Sequence, residues 1–324
     1  MKRKLVVLLL ALALIGSIGA QANVKNFPNR PVEAVVAWAA GGGADLIFRT
    51  LATIFPKYAN GQPLVVKNVG AAAGVPGIVE FKNNGRPDGY TILHWNTAHV
   101  IKTHMNAVPF TATEFTPVMK LVEDYSHVLV KADSPFKDLR DFVAYAKANP
   151  GKINLGNAGI GGGAHFSALF FEDFSGIDVT HVSFTGGGPA VIGVLNGQVD
   201  ASMSIASEGI TNVLDGSLRM IGVFGPARPS QLPNVQTATE QGFELVLGHW
   251  RGIMTPKGTP PEIVQALHDI FKKCIEDPDF QKRMKEMNTN ISYLNSKDFE
   301  ALNRKADLDY MRIIKEKKLG DKYK

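Results

Sequence analysis

Short runs of consecutive apolar residues alternate along this chain with longer stretches whose apolar positions recur at helical spacing. "PVEAVVAW", "QPLVVKNV" and "DGYTILHW" predict buried strands, the last entered through a turn at Pro87-Asp88-Gly89. "ADLIFRTLATIFPKYA" predicts the helix after the first strand, and the small residues of "GAAAGVPGIVEFKNN" a tightly packed helix start after the second. The pattern then begins again. "SHVLVKAD" reads as strand and "FKDLRDFVAYAKANPG" as a helix closed by Pro150-Gly151. "INLGNAG" with "GGGAHFSALFFEDFSG", and "THVSFTG" with "GPAVIGVLNGQ", repeat the strand–helix unit, and "VDASMSI" and "RMIGVFG" add two strands. A Pro-rich loop leads to "HWRGIMTPKG", and two helices end the chain.

This alternation predicts an α/β fold of two doubly wound lobes with parallel sheets. One lobe comprises residues 23–123 with 250–324, the other 124–249, and the chain crosses near Leu121–Tyr125 and again near His249–Gly252. Two short crossings make a two-strand hinge about which the lobes can close on a ligand cleft.

Ahead of the first strand, Lys2, Arg3 and Lys4 precede the apolar run "LVVLLLALALIGSIGA" and the small-residue site Ala20-Gln21-Ala22. These are the parts of a secretory signal peptide. It comprises residues 1–22, cleavage is expected after Ala22, and no cysteine follows to take a lipid; the expected location is the periplasm. The formal charge of +5 falls to +2 when the three basic residues leave, and a mixed surface of that kind argues for neither a nucleic acid nor a membrane as partner. Cys274 is the only cysteine; its helical stripe of apolar neighbours marks it as a core thiol, and it has no disulfide partner.

Several strands end in small, glycine-rich turns. The first three carry Ala40-Gly41-Gly42-Gly43, Gly70-Ala71-Ala72-Ala73-Gly74 and His94-Trp95-Asn96-Thr97. Those of the second lobe carry Gly156-Asn157-Ala158-Gly159 with Gly161-Gly162-Gly163, then Thr185-Gly186-Gly187-Gly188, then Ser204-Ile205-Ala206-Ser207. In open α/β sheets ligands lie outside the carboxyl ends of the strands, where helix N-termini aim unpaired N–H groups at them. Glycine serves a tight turn and also lets a ligand reach the backbone. Two lobes with these turns facing would clamp a small anion.

"GIGGGA" at 159–164 fits a dinucleotide pattern, but the next strand ends "VSFTG" without the acidic residue a ribose requires. No phosphate-binding P-loop, G-x-S-x-G, H-E-x-x-H or C-x-x-C motif occurs, and His94, His99 and His104, five apart, do not share a helix face. No metal, cofactor or catalytic group is therefore expected, and a carboxylate suits the turns best. Asp45 is expected to bond the N–H groups of its own turn and to receive a ligand ammonium if one is present. His165 either donates to a bound carboxylate or caps and packs; Trp38 and Trp95 either floor the pocket or join the core.

Taken together, "GGGADLIFR", "RPDGYTIL", "INLGNAGIGGGAHFSA", "THVSFTGGGPAVIGVLNGQVD", "LPNVQTATEQGFE" and "TPKGTPPEIVQAL" resemble the landmarks of the Bug-type receptors, the solute-binding proteins of tripartite tricarboxylate transporters. The resemblance implies a periplasmic binding protein type II-like fold. It implies a receptor, not an enzyme, that closes on small carboxylates and delivers them to membrane permease subunits; with the signal peptide and the glycine turns, the expectation is a monomer that binds a di- or tricarboxylate. Ligand contacts are implied at Ala40, Gly42 and Gly43, at Asn96 and Thr97, at Asn157, Ala158, Gly159, Gly163 and His165, at Thr185 and Gly186, and at Ser204, Ile205 and Ala206. The chain departs from that family at Trp38 and Ala39-Ala40, at Ala158 where a serine is frequent, and at "SIAS", which replaces a stretch that often carries an acid. The last two departures count against an amino-acid ligand. An aromatic carboxylate held by Trp38, Trp95 and Phe184, a sensor presenting its closed form to a signalling partner, and a periplasmic enzyme using His165 are the alternatives.

Overall fold

A computed structural model of the chain describes residues 26–321 apart from 39, 71–73, 206–207 and 288. The expected signal segment 1–22 and the candidate Ala206 lie outside the described residues.

Strands β1 (Val32–Val36), β2 (Leu64–Asn68) and β3 (Thr91–Asn96) run parallel in the order β2-β1-β3. Helices α1 (Gly43–Ile54), α2 (Val75–Asn84) and α3 (Thr97–Met105) follow them in turn. The nearly continuous apolar run of β1 is explained by cover on both faces. On one side Ile47, Phe48 and Leu51 meet Ile263, Leu267 and Phe271. On the other, Val35 lies with Phe81, Val100, Tyr310 and Ile313.

β4 (Thr116–Lys131) begins well before the Ser126 at which its strand pattern was read. Its first part pairs antiparallel with β9 (Gly248–Thr255), from Thr116↔Thr255 to Tyr125↔Gly248. Its second part pairs with β7 (Ala201–Ile205) and β8 (Leu218–Val223). One strand therefore serves both regions, and both expected crossings fall in the β4–β9 pair. In the second region β5 (Asn154–Asn157) lies parallel between β6 (Thr180–Ser183) and β7. Its helices are α4 (Leu139–Ala148), α5 (Gly163–Ser175), α6 (Gly187–Leu195) and the short α7 (Ile210–Leu214).

The sheet, in the order β2-β1-β3-β9-β4-β7-β5-β6, is thus mixed rather than wholly parallel. Three helices end the chain rather than two: α8 (Pro261–Glu276), α9 (Pro278–Glu286) and α10 (Ser296–Glu316), with β10 (Ile291–Leu294) returning to β4 before the last. Four residues of strand are too few for alternation to announce. Cys274 is buried in the first core, as its apolar stripe requires. At the crossing, Arg251 bonds the buried Asp124 at 2.7 Å. Phe166 of α5 meets Tyr310 of α10 edge-on at 5.3 Å, so the two regions share a packed seam there.

Candidate functional site

In the first region, the exposed turn Ala40–Gly43 is held from behind by Asp45. Asp45 Oδ2 accepts from Gly41 N–H at 2.8 Å and from Arg49 Nε at 2.9 Å, while Arg49 also donates to Asn68 Oδ1 and Asn68 to the Trp38 carbonyl. Burial pushes the Asp45 pKa upward, but Arg49, the Gly41 N–H and Asn68 outweigh it and hold the group below its ordinary 3.8. Asp45 is therefore a fixed, ionised brace for its own turn, the first of its expected roles.

Trp38 is half-buried and stacks on His99 at 5.4 Å, an imidazole that burial pushes down to about 3 and so keeps neutral. The two tryptophans part company here. Trp95 is fully buried, packs against Phe110 and Phe115, and donates its Nε1–H to Asn303 at 3.0 Å, so it belongs to the core and does not floor a pocket. Asn96 caps α3 by accepting from His99 N–H at 3.1 Å. Thr97 is buried beside a cavity of about 320 Å³ that Ser167, Leu247, Trp250 and Tyr310 also line, away from the glycine turns.

The second region gathers its turns more closely. Asn157, fully buried at the end of β5, accepts through Oδ1 from Gly159 N–H at 3.0 Å and from Ser183 Oγ at 3.2 Å. Its backbone carbonyl accepts from Phe184 N–H, which ties the β5 and β6 turns together. Its Nδ2 is a buried donor with no partner. Ala158, Gly159, Gly163 and Gly186 are half-buried around it and Thr185 is exposed. The starts of α5 and α6 carry no side-chain cap, which leaves their first N–H groups for solvent or a ligand. His165 Nδ1 accepts from Gly161 N–H at 3.3 Å, and burial with the neighbouring His181 ring pushes it down to about 4. Of its two expected roles, capping is the one this nitrogen performs. Ser204 is fully buried with its hydroxyl on Ser202, so that hydroxyl faces the sheet interior rather than a ligand. Ile205 is half-buried and its N–H is already given to Glu208 Oε2 at 2.9 Å.

Glu208, at the β7 turn, is the charged residue of these turns that sequence reasoning missed. The acid absent from "SIAS" stands one residue beyond it. A Cβ built on Gly187, the first residue of α6, would lie 1.8 Å from Glu208 Oε1, so the carboxylate rests directly on that helix start. Gly163 is equally confined: a Cβ there would meet the His249 ring at 2.6 Å. That ring, neutral because burial pushes it down to about 3, is held by Ser126 at 2.8 Å and Ser167 at 3.2 Å. Among the described residues no cluster of His, Cys, Asp or Glu is able to hold a metal ion. His94 and His99 are instead paired core rings, and His104 bonds Asp307.

The model of the TctC family, described as the tripartite tricarboxylate transporter family receptor, matches residues 47–319. A protein of Cupriavidus necator named for the gbd 5' region is 32% identical over 294 residues, covering 88% of this chain and 86% of its own. A TctC solute binding protein from Polaromonas, solved with no ligand, is 30% identical with a TM-score of 0.83 over 90% of this chain and 99% of that one. The periplasmic binding protein BugD is 28% identical with a TM-score of 0.68, covering 91% and 99%. MatC from Rhodopseudomonas palustris, with bound malate, is 25% identical with a TM-score of 0.67, covering 89% and 100%.

Proposed function

This chain belongs to the tripartite tricarboxylate transporter receptor family, a family of receptors rather than enzymes, and on that premise we propose that it captures a small organic carboxylate between its two regions and hands it to membrane permease subunits. It works in the periplasm as a monomer, after removal of residues 1–22. Residues 23–123 with 250–324 act as one lobe and 124–249 as the other, closing about the β4–β9 pair.

The observation that carries this reading is Asn157 Nδ2, a buried amide donor without a partner where the β5 and β6 turns meet. A buried donor left unmade is costly, and a carboxylate oxygen is the acceptor it suits. Gly159, half-buried and bonded to the same side chain, carries no Cβ to bar a small acid from it. Malate in the related MatC supports the ligand class. The aromatic alternative keeps little support: Trp95 is core, and the Phe184 ring packs on Gly156 and Gly193.

Isothermal titration with malate, succinate, glutarate, adipate and citrate tests the proposal. At least one of these acids is expected to bind at micromolar concentration, and failure of all of them together with their monoamides sinks it. Asn157→Asp keeps the acceptor that Gly159 and Ser183 use but replaces the donor with a like charge. It is expected to weaken binding by about 10- to 100-fold, the loss of one charge-assisted hydrogen bond.

A further inference from the structure

The β6–α6 turn is anchored at both ends by polar side chains of opposite character. At its start, Ser183 and Phe184 are bound to Asn157, whose Nδ2 is a buried donor awaiting an acceptor. At its finish, the carboxylate of Glu208 occupies the place a Cβ on Gly187 would take. Glu208 Oε2 is engaged by Ile205 N–H, and among the described residues no cation lies within ion-pair distance of either oxygen. The ring of His127 bonds the Glu208 backbone carbonyl, not its carboxylate. The chain's own acid therefore lies beside the start of α6, where a free anion would find N–H groups and the positive end of a helix dipole, without capping it.

Building on the carboxylate-receptor reading, we propose that Glu208 sets the ligand class. The acid that binds carries one carboxylate, for the donor at Asn157, and a hydrogen-bond donor at its other end, for Glu208: an amide, a hydroxyl or an ammonium. A second carboxylate would have to displace Glu208 or lie beside it as a like charge, whereas a donor meets a half-buried acceptor that lacks a cation.

Isosteric pairs separate charge from shape: succinate with succinamate, glutarate with glutaramate, adipate with adipamate, each titrated into the mature protein and into Glu208→Gln. In the wild-type protein the monoamide of the best-fitting length is expected to bind at least about tenfold tighter than its diacid. Glu208→Gln, whose carbonyl still accepts from Ile205 N–H, is expected to erase or reverse that preference. A wild-type protein that favours the diacid overturns the inference while leaving the receptor reading intact, as does a preference that Glu208→Gln leaves unchanged. Binding of neither member of any pair, nor of any other carboxylate, overturns both. The wild-type half of the experiment decides even if the variant fails to fold.

Discussion

The two regions of this molecule each place a carboxylate against a glycine turn, and they do so with opposite electrostatics. Asp45 lies one helical turn before Arg49, which bonds it at 2.9 Å, and the pair fixes the Gly41 N–H. Glu208 makes the corresponding bond to Ile205 N–H but has no cation beside it among the described residues, and burial raises its pKa. The first acid is neutralised and serves the shape of its turn. The second has no cation among the described residues and rests at the other end of the short turn that Asn157 anchors, although the first also keeps its Oδ1 buried without a partner.

The sharpest way to break that contrast is to remove each acid in turn. Asp45→Ala frees Arg49 and the Gly41 N–H and is expected to cost about 2–3 kcal/mol of stability at pH 7, read from urea unfolding. Because the Asp45 pKa is lowered on folding, that contribution is full above its ordinary 3.8 and is lost as pH falls through the lower folded value. Glu208 has the reverse sign. Its folded pKa lies above the ordinary 4.5, so the folded protein favours the protonated acid, and an unfavourable contribution develops as pH rises through the folded value. Glu208→Gln should therefore be at least as stable as wild type at pH 7; a loss as large as that of Asp45→Ala would make Glu208 a brace too.

Helix starts give the next test. Gly163→Ala drives a methyl into the His249 ring, which two serines hold in place, and is expected to cost about 1–2 kcal/mol in the same unfolding measurement. The smallest effects separate the regions again. Gly187→Ala meets only the flexible end of Glu208, which can swing away at a cost of about 1 kcal/mol. Gly43→Ala, at the same position of α1, has nothing within 4 Å and should change stability by less than about 0.5 kcal/mol. Equal costs at the two positions would mean that Glu208 does not rest on Gly187.

Much of the fold was legible because local patterns act locally. The run "VEAVV" becomes β1, and the stripe of Ala44, Ile47, Phe48, Leu51 and Ile54 becomes the buried face of α1. Where the reading failed, the missing information lay far along the chain. The strand pattern of β4 was broken by Lys120, Glu123 and Asp124, which only the pairing with β9 and the partners Tyr125, Ser292 and Arg251 make tolerable in a strand interior. Trp95 sits at a strand end, as a pocket residue would, but Asn303 on the last helix takes its N–H.

The sequence by itself determined the alternation of strands and helices, the glycine turns at strand ends and the absence of catalytic and metal motifs, because periodicity and turn chemistry depend on neighbours within a few residues. Tertiary structure alone decided which polar groups were left without partners. Asp45 finds its cation four residues away, a spacing visible on any helix. Glu208 finds Gly187 because β7 and α6 pack side by side, and Asn157, its Oδ1 held by Ser183 and Gly159, is buried with no acceptor beside its Nδ2. A group's chemistry is written in its side chain, whereas its unmet valence depends on everything folded around it.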